Sequence, residues 1–175
     1  MKTLGLLRHA KSDWDDLAKR DFDRGLNARG RRGAALMGRH VAGQEIVWAQ
    51  VLASPAERVR QTIAEALPDA DVTWDQRVYL ASSATLMELI REAGGDNDTL
   101  LLVGHNPGLQ DLIFDIVPPS QETDLFDEAA GKFPTATHAV LELDIASWRE
   151  LSGNCGKLVH LKRPRDLDPE LGPEE

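Results

Sequence analysis

Two short apolar runs, each ending abruptly in polar residues, constrain the fold of this chain most. Residues 4–7 and 99–103 are too short for helices and lack polar alternation, which is typical of strands buried on both faces of a parallel sheet. Arg8-His9 follows the first run, and Gly104-His105-Asn106-Pro107 follows the second. Because ligands of open α/β sheets bind at the carboxyl ends of strands, we expect a site there.

The order of the remaining segments predicts the fold class. Further strands are predicted at 47–53, 71–74, 136–143 and 157–161, and helices at 28–41, 55–67, from Ser82 or Ser83 to Gly94-Gly95, and from Pro107. Asn27, Ser54 and Asn106 are the predicted caps. This βαβαβαβα order with late extra strands predicts an α/β three-layer sandwich, a mostly parallel sheet flanked by helices on both faces.

Length, charge and composition exclude several classes of protein. The chain has 175 residues, enough for one domain, which we place at 1–162, with a flexible, acidic, proline-rich tail at 163–175. A net charge of -9 argues against a nucleic-acid partner. No apolar run could span a membrane and no signal-peptide pattern opens the chain, so a cytoplasmic location is expected.

Three predicted strand ends carry residues suited to binding phosphate. Arg8 and His9 follow the first strand, Arg58 lies one turn into the helix after Ser54-Pro55, and His105 follows the fourth strand. A parallel sheet brings these ends to one edge, together with two helix N-termini that favour an anion. No P-loop is present, and two histidines without supporting ligands make a poor zinc site. We therefore expect a phosphate pocket built from arginine and histidine, with no metal and no cofactor.

Three motifs give the chain a resemblance to a known family. Leu7-Arg8-His9-Ala10, Ser54-Pro55-Ala56-Glu57-Arg58-Val59-Arg60-Gln61-Thr62 and Val103-Gly104-His105-Asn106-Pro107 resemble, over about residues 3 to 117, the signatures of the histidine phosphatase (phosphoglycerate mutase-like) superfamily. Arg8-His9-Ala10-Lys11-Ser12 and the compact size resemble its SixA-like branch of phosphohistidine phosphatases. The resemblance implies the phosphoglycerate mutase-like fold.

The resemblance also implies roles for individual residues. His9 would attack phosphorus and become a phosphohistidine, while Arg8, Arg58 and His105 would hold the phosphoryl oxygens and stabilise the transition state. Ser12 and Asn106 are further candidates for substrate binding, and each could equally serve only as a turn or cap residue.

One departure from the family pattern bears on the substrate. Members that act on alcohol leaving groups carry a general acid after the third strand, but residues 78–83 contain no carboxylate. Glu57 is a reserve candidate for that acid. Imidazole leaves without such help, so protein phosphohistidine is the favoured substrate, and the partner is a phosphorylated protein or a small phosphate ester. The alternatives are a small-molecule phosphomonoesterase or mutase and a non-catalytic phosphate-binding adaptor, which assays on p-nitrophenyl phosphate and glycerate phosphates would separate.

A long segment without predicted structure lies between the fourth helix and the fifth strand. Residues 118–134 are acidic and bounded by proline. Segments of this length inside a compact domain are often lids or binding loops. We therefore expect this one to cover the cleft.

Overall fold

Strands and helices alternate through most of the chain. The computed structural model describes residues 1–172. Its strands are β1 (Lys2–Arg8), β2 (Val51–Ala53), β3 (Val72–Trp74), β4 (Thr99–Gly104), β5 (His138–Leu143) and β6 (Gly156–Lys162). Its helices are α1 (Ala28–Ala42), α2 (Glu57–Ala66), α3 (Ser83–Ala93), α4 (Gly108–Ile116), α5 (Asp124–Gly131) and α6 (Pro164–Leu167).

The strands form one mixed sheet in the order β3-β2-β4-β1-β5-β6. The pairs β1–β4, β2–β4 and β2–β3 are parallel, and β5 and β6 add two antiparallel pairs at one side. The predicted α/β class with a mostly parallel sheet is confirmed. In the β1–β4 register, Leu7 lies beside Val103 and Arg8 beside Gly104. The two polar clusters that follow these strands therefore start at the same level.

Helices cover both faces of the sheet, as its alternating side chains require. In β4, Leu100 and Leu102 pack with α3, α4 and α5 in one core, while Leu101 and Val103 pack with α1 and α2 in the other. All four of these leucine and valine side chains are fully buried. Burying each of these side chains stabilises the fold by roughly 1.5–3 kcal/mol. This burial holds β4 in place, and β4 is the strand that leads to His105.

Two helices begin later than the sequence predicts. The second helix starts at Glu57 rather than Pro55, and its N-cap is Ala56, whose side chain cannot cap. Ser54 is fully buried, and its hydroxyl lies 2.8 Å from Nε2 of His105. The fourth helix starts at Gly108, although Oδ1 of Asn106 does accept a hydrogen bond from the Gln110 N–H. Ser54 therefore contacts the site, whereas Asn106 still satisfies a backbone N–H in the first turn of α4.

The second strand is also shorter than predicted. Pairing begins at Val51, beside Leu101, because Val47 is exposed and its carbonyl accepts a hydrogen bond from the Thr99 hydroxyl instead of joining the ladder. Parallel pairing is therefore confined to the three residues nearest the site.

Residues 118–134 are more regular than the loop that the sequence predicts. They contain α5, which Thr123 caps by accepting a hydrogen bond from the Phe126 N–H. Phe126 and Ala129 bury the inner face of this helix in the larger core. The acidic composition masked this pattern, because only one side of a short helix needs to be apolar.

The predicted tail begins at residue 163. Residues 163–172 form α6 and a following 3-10 turn, with Pro164 buried and Arg32 of α1 paired with Asp168 and Glu170. Arg29 donates a hydrogen bond to the Gly172 carbonyl. This part of the segment is therefore packed on the domain, and residues 173–175 lie outside the described residues.

Candidate active site

The ends of β1 and β4 bring two histidine rings together. His9 and His105 follow these neighbouring strands, and their ring centroids are 5.3 Å apart with a tilt of 54°. The backbone N–H of His9 donates a hydrogen bond to the Gly104 carbonyl, which links the two strand ends. Only 7% of His9 and 4% of His105 is exposed, so both rings lie at the floor of a pocket.

All six site residues predicted from the sequence line this one pocket. They are Arg8, His9, Ser12, Arg58, His105 and Asn106. Lys11, Trp14, Asp21, Leu80 and Thr135 complete its wall. The structure therefore brings these six residues together from three separate parts of the chain, as the convergence of strand ends predicts. The role of each residue in catalysis or binding stays a prediction.

The hydrogen bond of His9 defines which ring nitrogen is free. Its Nδ1 lies 2.7 Å from the Ala10 carbonyl oxygen, which can only accept, so Nδ1 carries the proton. Burial, together with the charges of Arg8 and Arg58, lowers the pKa of His9 to about 3, although the bond to Ala10 opposes this shift. At neutral pH the ring is therefore neutral, with a lone pair on Nε2.

His105 is held from the opposite side by Ser54. Its Nε2 lies 2.8 Å from the Ser54 hydroxyl oxygen, and this oxygen accepts a hydrogen bond from the Ala56 backbone N–H at 3.3 Å. Burial and the neighbouring His9 lower the pKa of His105 to about 3. Its Nδ1 is buried and has no hydrogen-bond partner among residues 1–172. This nitrogen is therefore available to a ligand.

Two arginines supply positive charge to the pocket. Burial lowers the pKa of Arg8, and the nearby charge of Arg58 lowers it further. Arg8 donates to the Phe133 carbonyl at 3.0 Å, while its Nε is buried without a partner among the described residues. Two close guanidinium groups repel each other, and an anion between them would remove this repulsion.

Buried hydrogen bonds hold the loop that carries His9. The Thr62 hydroxyl accepts from the Ala10 N–H at 2.9 Å and donates to the Arg58 carbonyl at 2.7 Å. The Ala136 N–H donates to the His9 carbonyl at 2.9 Å. Since Thr62 belongs to α2, this helix fixes both the His9 loop and the backbone of Arg58.

Two predicted substrate-binding residues also have structural partners. Asn106 donates to the Phe133 carbonyl at 3.2 Å and accepts from Gln110. Ser12 is buried and forms an antiparallel β-bridge with Leu26. Its carbonyl accepts a hydrogen bond from the Asn27 side chain. Both residues therefore have the cap or turn function that the sequence allows, in addition to their place in the pocket wall.

The segment at 118–134 approaches the pocket through its last residues. The Phe133 carbonyl accepts from both Arg8 and Asn106, and Gln110 of α4 donates to the carbonyls of Ala129 and Ala130. The segment is thus anchored to the site by its backbone. Its predicted function as a cover for the cleft stays a prediction.

Asp21 and Tyr79, which are not predicted as site residues from the sequence, contact the predicted ones. Asp21 lies on an exposed segment, with 44% of its side chain accessible, and its carboxylate accepts from Arg58 at 3.0 Å and from the Tyr79 hydroxyl. The Tyr79 ring lies edge-on to His105, with centroids 5.4 Å apart. The sequence signal for Tyr79 was its position just after the third strand, whereas no local pattern marks Asp21. Glu57, the reserve acid, lines a neighbouring cleft and accepts from Gln61.

Residues 1–172 hold neither a metal-binding cluster nor a helix able to span a membrane. No three histidine, cysteine, aspartate or glutamate side chains in this part of the chain are grouped so that they could hold a metal ion. Within the same range, no helix has the length and apolar character that crossing a bilayer requires.

A mostly parallel α/β sheet with two histidines and two arginines at its edge defines a class of phosphoryl-binding proteins, and comparisons with known proteins agree. The model of the histidine phosphatase superfamily (branch 1) matches residues 4–82. An uncharacterized protein of Mycobacterium tuberculosis is 35% identical over 160 residues, which cover 91% of this chain and 100% of that protein. The chain belongs to the histidine phosphatase superfamily.

Two solved structures that share the name "putative phosphohistidine phosphatase SixA" are similar over nearly the whole chain. The protein from Nakamurella multipartitia is 28% identical with a TM-score of 0.81, covering 93% of this chain and 96% of its own. The protein from Agrobacterium tumefaciens is 30% identical with a TM-score of 0.74, covering 93% and 98%. The resemblance to the SixA-like branch is therefore confirmed.

Proposed function

We propose that this protein is a phosphatase that acts through a phosphohistidine on His9, without a metal, and that its substrate is phosphohistidine on a partner protein in the cytoplasm. One observation carries the proposal: His9 and His105, with ring centroids 5.3 Å apart, share a pocket with Arg8 and Arg58. A nucleophile beside convergent cations and hydrogen-bond donors suits phosphoryl transfer.

The first step is attack by His9. Its Nδ1–H is engaged by the Ala10 carbonyl, so the neutral ring presents Nε2 to phosphorus. A pKa of about 3 means that no base is needed to free this lone pair at neutral pH. A bond forms between Nε2 and phosphorus while the bond from phosphorus to the leaving group breaks.

Arg8, Arg58 and His105 would stabilise the charge on the phosphoryl oxygens during this transfer. The unpartnered Nε of Arg8 and Nδ1 of His105 are buried polar atoms that a bound phosphoryl group would satisfy. If the Ser54 hydroxyl donates to Nε2 of His105, the ring proton resides on Nδ1 and forms a hydrogen bond to a phosphoryl oxygen. Ser12 and Asn106 are proposed as further contacts.

Leaving-group chemistry favours a phosphorus–nitrogen bond. Residues 78–83 supply no carboxylate, and the pKa of Asp21 is low, so an alkoxide would depart without a proton donor. A general acid contributes about 10²–10⁴-fold, whereas imidazole protonated on its other nitrogen departs as a neutral base. The two similar structures that carry the name "putative phosphohistidine phosphatase SixA" support this substrate class. Water then attacks phosphorus, releasing phosphate and His9.

His9→Ala tests the proposal, with His40→Ala as the matched control. His40 lies on α1 and pairs with His160, outside the pocket, so its loss removes an imidazole without touching the site. Both variants and the wild type are incubated with radiolabelled phosphohistidine protein, and acid-labile phosphoenzyme and released phosphate are measured. We expect His9→Ala to lose the phosphoenzyme and at least about 10³-fold in turnover.

Two results would count against this function. A folded His9→Ala variant that still forms phosphoenzyme would show that another residue is the nucleophile. Faster turnover of glycerate phosphates than of phosphohistidine protein would favour the phosphomonoesterase or mutase alternative.

A further inference from the structure

One carboxylate lines the pocket, although the arginines of this pocket are suited to binding an anionic ligand. Asp21 lines the same wall as His9, Arg58 and His105. Arg58 donates to its backbone carbonyl at 2.8 Å and to its Oδ2 at 3.0 Å, and the Tyr79 hydroxyl donates to the same Oδ2. Among residues 1–172, the hydrogen bonds of the Asp21 carboxylate use Oδ2, and 44% of the side chain is exposed, so Oδ1 is accessible to a ligand.

The carboxylate is held rigidly and stays ionised. Burial opposes ionisation, but hydrogen bonds from Tyr79 and Arg58 outweigh it and lower the pKa of Asp21 below its usual range. The Tyr79 ring packs edge-on against both Phe22 and His105, at 5.1 Å and 5.4 Å. Asp21 is therefore a fixed negative charge at neutral pH and cannot donate a proton.

A fixed anion beside a phosphoryl group would weaken binding unless part of the substrate compensates for it. Like charges repel, and this repulsion is strongest in a partly desolvated pocket. Arg58 offsets part of the charge, but its guanidinium is also needed by the phosphoryl oxygens. A substrate with a positive charge next to its phosphorus would turn the repulsion into attraction, while a phosphate ester of an alcohol or carboxylic acid would not.

We propose that Asp21 recognises the leaving group, and that it selects phosphoramidates whose departing nitrogen base carries a proton, of which phosphoimidazolium is the simplest. The inference rests on the proposed function and names its substrate class. His9 Nε2 bonds to phosphorus, the phosphorus–nitrogen bond breaks, and its electron pair returns to the departing ring. The proton on the other ring nitrogen stays on that nitrogen and forms a hydrogen bond to Oδ1 of Asp21. The base therefore leaves as neutral imidazole.

The test compares substrates rather than rates alone. Wild type and Asp21→Asn, a substitution of equal size without charge, are assayed on phosphoimidazole and on p-nitrophenyl phosphate. The ratio of kcat/KM for phosphoimidazole to kcat/KM for p-nitrophenyl phosphate should fall about 10- to 100-fold in the variant. A fall of this size corresponds to the loss of one charge-assisted hydrogen bond. A general loss of structure or of Arg58 alignment would lower both values and leave the ratio in place.

Tyr79→Phe is the matched control, because it removes the hydroxyl that contacts Asp21 and keeps the carboxylate. We expect a smaller fall in the ratio than in Asp21→Asn. An unchanged ratio in Asp21→Asn overturns the inference. A rise in the ratio also overturns it, because Asp21 would then serve aryl phosphates better than phosphoramidates.

A binding experiment separates this inference from the proposed function. In the His9→Ala background, which cannot be phosphorylated at His9, calorimetry compares phosphoimidazole with phenyl phosphate, with and without Asp21→Asn. We expect the second substitution to weaken phosphoimidazole binding about tenfold more than phenyl phosphate binding. Equal weakening refutes the role of Asp21 even if the wild type hydrolyses phosphohistidine. Wild type inactive on every substrate refutes the proposed function, and the difference in affinity still decides the inference.

Discussion

Two glycines of α1 differ in what surrounds them, and alanine should be less well tolerated at Gly30 than at Gly33. A Cβ at Gly30 would lie 2.1 Å from the Lys11 carbonyl oxygen, whereas a Cβ at Gly33 would have no neighbour within 4 Å. The Lys11 carbonyl also accepts a hydrogen bond from the Asn27 N–H at 3.1 Å. Gly30 is therefore the point where α1 packs against the loop that follows His9.

The magnitude follows from comparing the two sites. Replacing a helical glycine by alanine stabilises a helix by about 1 kcal/mol, and this gain cancels when the variants are compared. Gly30→Ala additionally forces backbone apart, and overpacking of this kind costs roughly 1–3 kcal/mol or more. For a chain of this length, 1 kcal/mol corresponds to roughly 2–4 °C in Tm. Gly30→Ala should therefore melt about 2–12 °C below Gly33→Ala.

Thermal unfolding followed by circular dichroism measures this difference, and p-nitrophenyl phosphate turnover measures its effect on the site. We expect Gly30→Ala to lose activity as well, because Lys11 lies only two residues beyond His9, and misplacing a catalytic group by about 1 Å can reduce the rate about 10²-fold. Equal melting temperatures for the two variants would show that the approach of α1 to this loop is not the reason for glycine at position 30.

Two further predictions concern buried hydrogen bonds and buried histidines. Thr62→Val leaves the Ala10 N–H without its acceptor, so it should cost about 1–3 kcal/mol of stability and lower kcat, while Thr62→Ser should retain activity; denaturant unfolding and steady-state kinetics check both. Burial holds the pKa of His9, His105 and His138 at about 3, below the 6.5 of an exposed histidine. The unfolded chain therefore binds protons that the folded protein does not, and stability should fall as pH drops from 6.5 towards 3, by at most roughly 1.4 kcal/mol per pH unit for each ring. Urea midpoints that do not change between pH 7 and pH 5 would contradict this assignment.

Much of the site could be predicted because its residues adjoin strong local signals. The apolar runs before Arg8 and Gly104 are buried strands, and neighbouring parallel strands must end at one edge. The sequence pattern therefore predicts that His9 and His105 lie near each other. Arg58 belongs to the second motif, and it lies at the start of α2, a helix that begins at the same edge.

Other features depend on contacts between distant parts of the chain. The Ser-Pro pattern predicts a cap at Ser54, yet the buried hydroxyl contacts His105, 51 residues away, because both lie at the ends of neighbouring strands. Asp21 reaches Arg58 and Tyr79 across separations of 37 and 58 residues. No local propensity encodes such a pairing.

The sequence by itself determined the order of the six strands and of the first four helices, the edge of the sheet where the site lies, and the four residues at its centre. Periodicity and capping act over a few residues, which is the range that a linear pattern can report. Only the tertiary structure decided which ring nitrogen of His9 is free, what orients His105, and that a carboxylate enters the pocket. Those properties arise from burial and from hydrogen bonds between segments, and they exist only once the chain is packed.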